Sequence, residues 1–420
     1  MELRVLTCAY ACISENGVRL KGGEAILGWN LVRQLGRFHE VCVLTSAQNQ
    51  SGIEAALRQE ALPNVRFHYV DLPRWLGFLR DVQGGIQLYA YLWQVRAYFT
   101  ARRLHRRHHF HLFHHITYAN DWMASFIGAL LPVPYVRGPG GGAHQTPKGL
   151  LRELSAVARV GQRLRAVGQR LFRHDPFFLL GQRRARAILV CNREALDAIP
   201  RKWRPKAQLF PVNGVSSGDL APCVPTGSQN GKFQVLSGGK LLPIKGFGLA
   251  IRSFKAFADQ CPEARFTIVG EGVELPRLDA LARELGLEEK VRFKDWMPRE
   301  GFLAEMASCD VFLFPSLRDG GGAVVVEAMA AGKPVVCLDL AGPGMHVVDG
   351  CGIKVPPHSP EQVVGEMATA LGRLYSDKEF RLRMGRAARE RAEREYHWER
   401  LGERLQEIYE EALGLQTGWR

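Results

Sequence analysis

Apolar positions along this chain come in short runs, set between glycine-rich loops and longer stretches of helical spacing. Residues 3–8 form the first run. A polar loop then leads to Lys21-Gly22-Gly23-Glu24, and Ala25, Ile26, Trp29, Leu31, Val32 and Leu35 follow at helix-like intervals. Runs at 41–44, 65–70, 111–117, 133–137 and 187–191 predict further strands, and 208–214 predicts a strand ending in a turn. Residues 86–107 predict an amphipathic helix with Leu88, Leu92, Val95 and Phe99 on one face and Arg102, Arg103, Arg106 and Arg107 at its end. That face is expected to pack on the core, with an interfacial role as the other reading. Residues 151–173 predict a second helix, with Arg152, Arg159, Arg163 and Arg170 along one face and Leu154, Val157, Leu164 and Leu171 along another. Residues 216–230, rich in Gly, Ser, Pro and Thr, read as a linker. The alternation then restarts, with strands predicted at 233–237, 265–269, 291–293, 311–314, 335–338 and 353–355 and an amphipathic helix near the end. Two successive βαβ arrays predict an α/β protein of two Rossmann-like domains, their parallel sheets facing across a cleft.

Composition narrows this picture. A length of 420 residues, 46% hydrophobic and 23% charged, suits two globular domains. Nine cysteines are scattered without a C-x-x-C pair, which argues against a disulfide framework or structural zinc and for a reducing compartment. The amino terminus runs straight into a strand without a signal-peptide pattern, so the expected location is cytoplasmic. No apolar run approaches the roughly 18 residues of a spanning helix. The net charge of +14 is uneven: residues 1–200 hold 26 Lys/Arg against 13 Asp/Glu, and residues 201–420 hold 30 against 29. This asymmetry suggests an anionic partner for the first half, such as a membrane surface or a lipid phosphate, against the plainer reading of a solvated basic surface. No nucleic-acid-binding module is visible.

The chemistry concentrates in two loops of the second half. After the run at 311–314 come Pro315-Ser316-Leu317-Arg318-Asp319-Gly320-Gly321-Gly322-Ala323, a helix pattern containing Glu327, and a stop at Gly332-Lys333-Pro334. A glycine loop between strand and helix brings backbone N–H groups to a bound anion. After the run at 233–237, Gly238-Gly239-Lys240 leads through Leu241 to Lys245-Gly246, a loop with two lysines five residues apart. In the first half, His114 and His115 stand near a predicted strand end, and Gly138-Pro139-Gly140-Gly141-Gly142 reads as a loop kept slim for a ligand or a partner domain. No D-x-D triplet of the metal-holding transferase type occurs.

The two loops, with Ile268-Val269-Gly270-Glu271-Gly272 and Gly332-Lys333-Pro334-Val335-Val336, resemble the donor domain of GT-B glycosyltransferases, specifically the group 1, or family 4, retaining class. In the first half the resemblance rests on Gly22-Gly23, His114-His115-Ile116-Thr117 and the run from Gly138 to Gly142. It implies a nucleotide-diphosphate sugar, UDP- or GDP-linked, as donor substrate, with no tightly bound cofactor and no metal. The family's acid-x7-acid motif falls on Asp319 and Glu327. Glu327 would accept hydrogen bonds from the ribose hydroxyls, and Asp319, with the amides of Gly320, Gly321, Gly322 and Ala323, would hold the sugar. The diphosphate-binding cation pair falls on Lys240 and Lys245, and Gly22, Gly23, Gly239 and Gly270 give the ligand room. Two positions depart from the family: Asp319 stands where Glu is usual, and Lys240 where Arg is usual. His114 substitutes for the family's sugar-contacting histidine. No carboxylate is placed as a covalent nucleophile, so the resemblance implies front-face transfer with retention. The expected organisation is an acceptor domain at 1–215, a linker at 216–230, a donor domain at 231–395 and a terminal helix at 396–420 returning to the first domain. The acceptor would be a glycan or a polyprenyl-diphosphate-linked saccharide at the inner membrane face, in cell-surface polysaccharide or lipopolysaccharide biosynthesis. Two other readings use the same residues: a nucleotide-sugar 2-epimerase of this fold, or a non-catalytic subunit that binds membrane or nucleic acid.

Overall fold

The apolar runs form two sheets in a computed structural model that describes residues 2–13, 23–80, 85–220 and 232–415. The first sheet contains β1 (Arg4–Ala9), β2 (Glu40–Ser46), β3 (Val65–Val70), β4 (Leu112–Thr117), β5 (Tyr135–Gly140), β6 (Ala185–Val190) and β7 (Ala207–Leu209), in the order β3-β2-β1-β4-β5-β6-β7. The second contains β8 (Gln234–Gly238), β9 (Arg265–Val269), β10 (Val291–Lys294), β11 (Val311–Phe314), β12 (Val335–Leu338) and β13 (Gly352–Val355), in the order β10-β9-β8-β11-β12-β13. The paired strands run parallel, in registers such as Leu6↔Cys42 and Phe312↔Val335. Parallel neighbours need a crossover, and the stretches of helical spacing supply one between most strands. Side chains alternate across each strand, so both faces of both sheets are buried. In the first sheet Leu3 and Val5 pack with Leu31, Val32 and Leu401, while Leu6 and Cys8 pack with Trp93, Phe113 and Tyr135. In the second, Val235 and Leu313 pack with Leu249, and Leu236, Phe312 and Phe314 with Val325 and Met329. Each strand order reverses once, between β1 and β4 and between β8 and β11. Crossovers leave in opposite directions there and open a crevice at the strands' carboxyl ends.

The chain divides into two compact units, one of residues 1–143, 166–212 and 398–420, the other of 144–165 and 213–397. The terminal helix Trp398–Leu413 contributes Trp398, Leu401, Leu405, Ile408 and Tyr409 to the core of the first unit. Residues 144–165 belong to the second unit, although they lie inside the stretch 1–215 expected to form the first domain. Leu150 and Leu154 are buried in the second unit's core beside Phe247 and Val363. The division falls within the helix Ala156–Phe172. Most of the linker expected at 216–230, and Gly22, lie outside the described residues.

Three expectations are corrected. The helix over 86–107 forms as Gly85–His108, but Leu88, Val95 and Phe99 are exposed. The face that packs carries Tyr89, Trp93, Ala97, Ala101 and Leu104, and the indole Nε1–H of Trp93 donates to the Val70 carbonyl at 2.6 Å. Small and aromatic residues let the helix approach the sheet where aliphatic spacing alone pointed to the opposite side. The helix over 151–173 starts only at Ala156, and Leu154 leaves the stripe shared with Val157 to enter the second unit's core. Finally, β5 continues through Gly138-Pro139-Gly140. A Cβ on Gly138 would lie 2.1 Å from the Leu189 carbonyl oxygen, and one on Gly140 would lie 2.1 Å from that of Ala119. These glycines are slim because neighbouring backbone crowds them.

Candidate functional site

The loops after β8 and β11 meet at the place where the second sheet's strand order reverses. The Gly239 amide donates to the Val269 carbonyl at 3.0 Å, and the Leu241 amide to that of Glu271 at 2.8 Å, lacing the loops after β8 and β9 together. Gly270 is fitted to this lacing: its φ is 150°, and a Cβ there would lie 1.9 Å from the Gly239 carbonyl oxygen. The first loop continues through a tight turn, Pro243–Lys245, into left-handed Gly246 at φ 69°, where a Cβ would meet the Pro315 carbonyl oxygen at 2.2 Å. The Leu317 amide donates to the Ile244 carbonyl at 2.9 Å. The two loops therefore hold each other in place.

This arrangement brings Lys245 and Asp319 into a direct ion pair, the ammonium donating to one carboxylate oxygen. The other oxygen, Oδ1, accepts from the amides of Gly321 at 3.3 Å and Gly322 at 2.8 Å. Burial alone would raise the Asp319 pKa, but the charge and hydrogen bond of Lys245, together with the Gly322 amide, outweigh it and hold the group below the ordinary carboxylate value. The amides of Gly321 and Gly322 are thus turned onto Asp319 itself, whereas the resemblance assigned them to a sugar. Lys240 lies one residue past Gly239 and is exposed. Gly322 is left-handed and opens the helix Ala323–Ala330, on which Glu327 stands mostly buried, paired with Arg299 Nη2 at 3.0 Å. Arg299 also reaches Asp219.

Three participants were not anticipated. The His346 ring donates from Nε2 to the Gly321 carbonyl, and its Nδ1 accepts from the Tyr396 hydroxyl at 3.0 Å, which pins the glycine loop from below. His346 follows β12, the strand beside β11, so the strand order is the signal that could have found it. Arg299, the first residue of its helix, has no motif spacing to reveal it. His144 comes from the segment that joins the second unit and sits over Gly320: a Cβ on Gly320 would lie 2.8 Å from its Cε1. The His144 Nδ1 is buried without a hydrogen-bond partner among the described residues. Burial, then Arg165 and Arg318, push its pKa down to about 4 against the opposing charge of Asp319. Arg318 is lowered to about 10, by burial and then by Arg165. A neutral histidine and a group of cations thus surround the glycine loop.

His114 does not take part. It is completely buried in the first unit, and both ring nitrogens are engaged. Nε2 donates to the Gly138 carbonyl at 2.5 Å, and Nδ1 accepts from the Tyr409 hydroxyl at 2.7 Å. No edge of this ring is free for a sugar. Gly23 begins the helix Gly23–Leu35 of the first unit.

Two parallel-sheet units of this topology, with a glycine loop at the second switch point, define a GT-B fold. Residues 224–391 match the family model described as glycosyl transferases group 1. A D-inositol 3-phosphate glycosyltransferase from Corynebacterium glutamicum is 31% identical over 186 residues, covering 43% of this chain and 43% of that protein. The match therefore spans less than half the length of that curated relative. Among solved structures, the chain is similar to a sucrose-phosphate synthase from Thermosynechococcus elongatus, with TM-score 0.68, 17% identity and coverage of 98% of this chain and 100% of that one. The Anabaena protein Alr3699/HepE in complex with UDP-glucose gives TM-score 0.59 and 19% identity, over 97% of this chain and 99% of that one.

Proposed function

We propose that the protein transfers a hexosyl group from a UDP- or GDP-sugar to a glycan or lipid-linked saccharide, with retention of configuration, in cell-surface polysaccharide or lipopolysaccharide assembly. The observation that carries this reading is the Lys245–Asp319 pair, fixed beside the glycine loop with Glu327 one helix away. In this reading Glu327 receives the ribose hydroxyls, exchanging its contact with Arg299 for them. Lys245 and the exposed Lys240 take the diphosphate. As the bond from anomeric carbon to phosphate oxygen breaks, negative charge grows on the leaving diphosphate, and cations already in place stabilise it without reorganisation. The acceptor hydroxyl attacks the face the diphosphate leaves, and its proton passes to the departing phosphate oxygen. His144, neutral and above Gly320, replaces His114 as the polar contact to the sugar. A lipid-linked acceptor would place this chemistry at the inner face of a membrane.

Calorimetric titration with UDP, GDP and ADP tests the reading. At least one of the three is expected to bind, and Glu327→Ala should weaken that binding by about tenfold or more, the worth of a charge-assisted hydrogen bond. If none binds, the donor-site reading fails. Formation of an epimerised nucleotide sugar without acceptor would replace transfer by epimerisation.

A further inference from the structure

We propose that the helix Ala156–Phe172 is a docking surface for an anionic lipid bilayer. The helix is amphipathic in the wrong sense for a packed element. Val157, Val160, Leu164, Val167 and Leu171 recur at intervals of three and four residues, which places them on one stripe. All five face solvent, between 54% and 82% exposed. The opposite side, turned to the protein, is polar or small: Gln169 is buried with its amide donating to the Gly142 carbonyl at 2.8 Å, and Ala158, Gln162, Arg165 and Ala166 are half-buried. The fold therefore does not use the apolar stripe, and water does not favour it.

Charge selects the occupant. Arg159, Arg163 and Arg170 lie exposed along one flank of the stripe, and the helix carries no acidic residue. Spacings of three and four would also suit pairing with a second copy, but that would set arginines against arginines with no carboxylate between them. Anionic headgroups give each arginine a partner while the aliphatic side chains enter the acyl boundary. The surface has a neighbour of the same kind. The Phe172 ring lies 6.1 Å from that of Tyr91 on the helix Gly85–His108, whose outer face exposes Leu88, Val95 and Phe99 before Arg102, Arg103 and Arg106. No described helix is long and apolar enough to cross a membrane, so the contact is one that lies on the surface.

This inference stands on residues outside the donor site, so it survives a failure of the transferase reading. The experiment is co-sedimentation of the full chain with phosphatidylcholine vesicles and with mixed phosphatidylcholine–phosphatidylglycerol vesicles. Binding to the mixed vesicles is expected, weakening as salt rises. The combined change Val160→Ser, Leu164→Ser and Val167→Ser should lower it at least tenfold with an unchanged melting temperature, because these side chains are already exposed. Arg159→Gln with Arg163→Gln and Arg170→Gln should remove the preference for anionic over neutral vesicles. Absence of binding to mixed vesicles overturns the proposal, as does undiminished binding by the serine variant. A dimer in solution that the serine variant converts to monomer, without effect on vesicle binding, assigns the stripe to self-association and overturns it equally.

Discussion

Lys245 and Asp319 neutralise one another in a site where their side chains are 19% and 18% exposed. Taking away the lysine leaves a carboxylate that water reaches poorly and removes the cation proposed to meet the leaving diphosphate. Lys245→Met is expected to lower kcat by about 10²–10³-fold, as for loss of one preorganised charge-stabilising group. It should also destabilise the fold by about 1–3 kcal/mol. Steady-state rates and urea unfolding of the variant separate the two effects, and an unchanged kcat would remove Lys245 from the leaving-group role. The depressed pKa of Asp319 stabilises the fold above the ordinary carboxylate range. That contribution is lost in acid, as the pH falls through the lowered value. A second test concerns His144. Gly320→Ala should push its ring aside, and His144→Ala should relieve the crowding, giving a coupling of about 0.5–1 kcal/mol in a double-mutant cycle of thermal stability. Additive effects would mean that the ring moves freely. The two loops that carry Lys245 and Asp319 are legible in the sequence because each follows an apolar strand run and opens a helix locally. His144 is not, because it reaches the loop only when residues 144–165 leave one unit for the other, and no local pattern encodes such a change of partner.

Each sheet anchors a loop or strand through a buried histidine–tyrosine pair. His114 ties Gly138 of β5 to Tyr409 of the terminal helix, and His346 ties Gly321 of the glycine loop to Tyr396. In both pairs the backbone carbonyl requires an N–H on Nε2, so Nδ1 is left to accept from the tyrosine and the ring stays neutral. Burial lowers both histidines to about 4, the neighbouring carbonyl opposing. In the first unit His39 and His115 are lowered too, to about 4 and about 3, by burial first. The unfolded chain takes up these protons near pH 6.5 and the folded chain does not, so stability is complete above pH 6.5 and falls as the pH drops toward 4. Each group contributes a slope of about 1.4 kcal/mol per pH unit in that window. His114→Gln, which keeps a donor and an acceptor but cannot titrate, should lower the slope by that amount in urea unfolding between pH 6.5 and 4.5. An unaltered slope would show that His114 is not held neutral. At this scale strands are plain in the sequence, because a strand buried on both faces is a continuous apolar run. Helix faces are less plain: the side that packs depends on small residues such as Ala97 and Ala101, which carry little hydrophobic signal.

At the scale of the molecule, each unit buries its own core on both sides of its own sheet, and the chain passes between them more than once. The terminal helix is covalently the end of the second half but energetically part of the first unit, with Leu405 fully buried among first-unit residues. Leu405→Ala removes three buried carbon atoms and leaves a cavity, for an expected loss of about 2–5 kcal/mol. That loss belongs to the first unit. In the proposed reading ligand protection belongs to the second, because a nucleotide stabilises only what it binds. The two are separable because tryptophan is unevenly placed: of the seven among the described residues, only Trp296 lies in the second unit. Tryptophan fluorescence therefore follows the first unit, and far-ultraviolet circular dichroism follows both. Leu405→Ala should lower the fluorescence melting temperature, while saturating UDP or GDP raises only a transition seen by circular dichroism. If the nucleotide instead raised the fluorescence transition by the same amount, the units would unfold as one cooperative body. The terminal helix would then stabilise the proposed donor site as well as the first sheet.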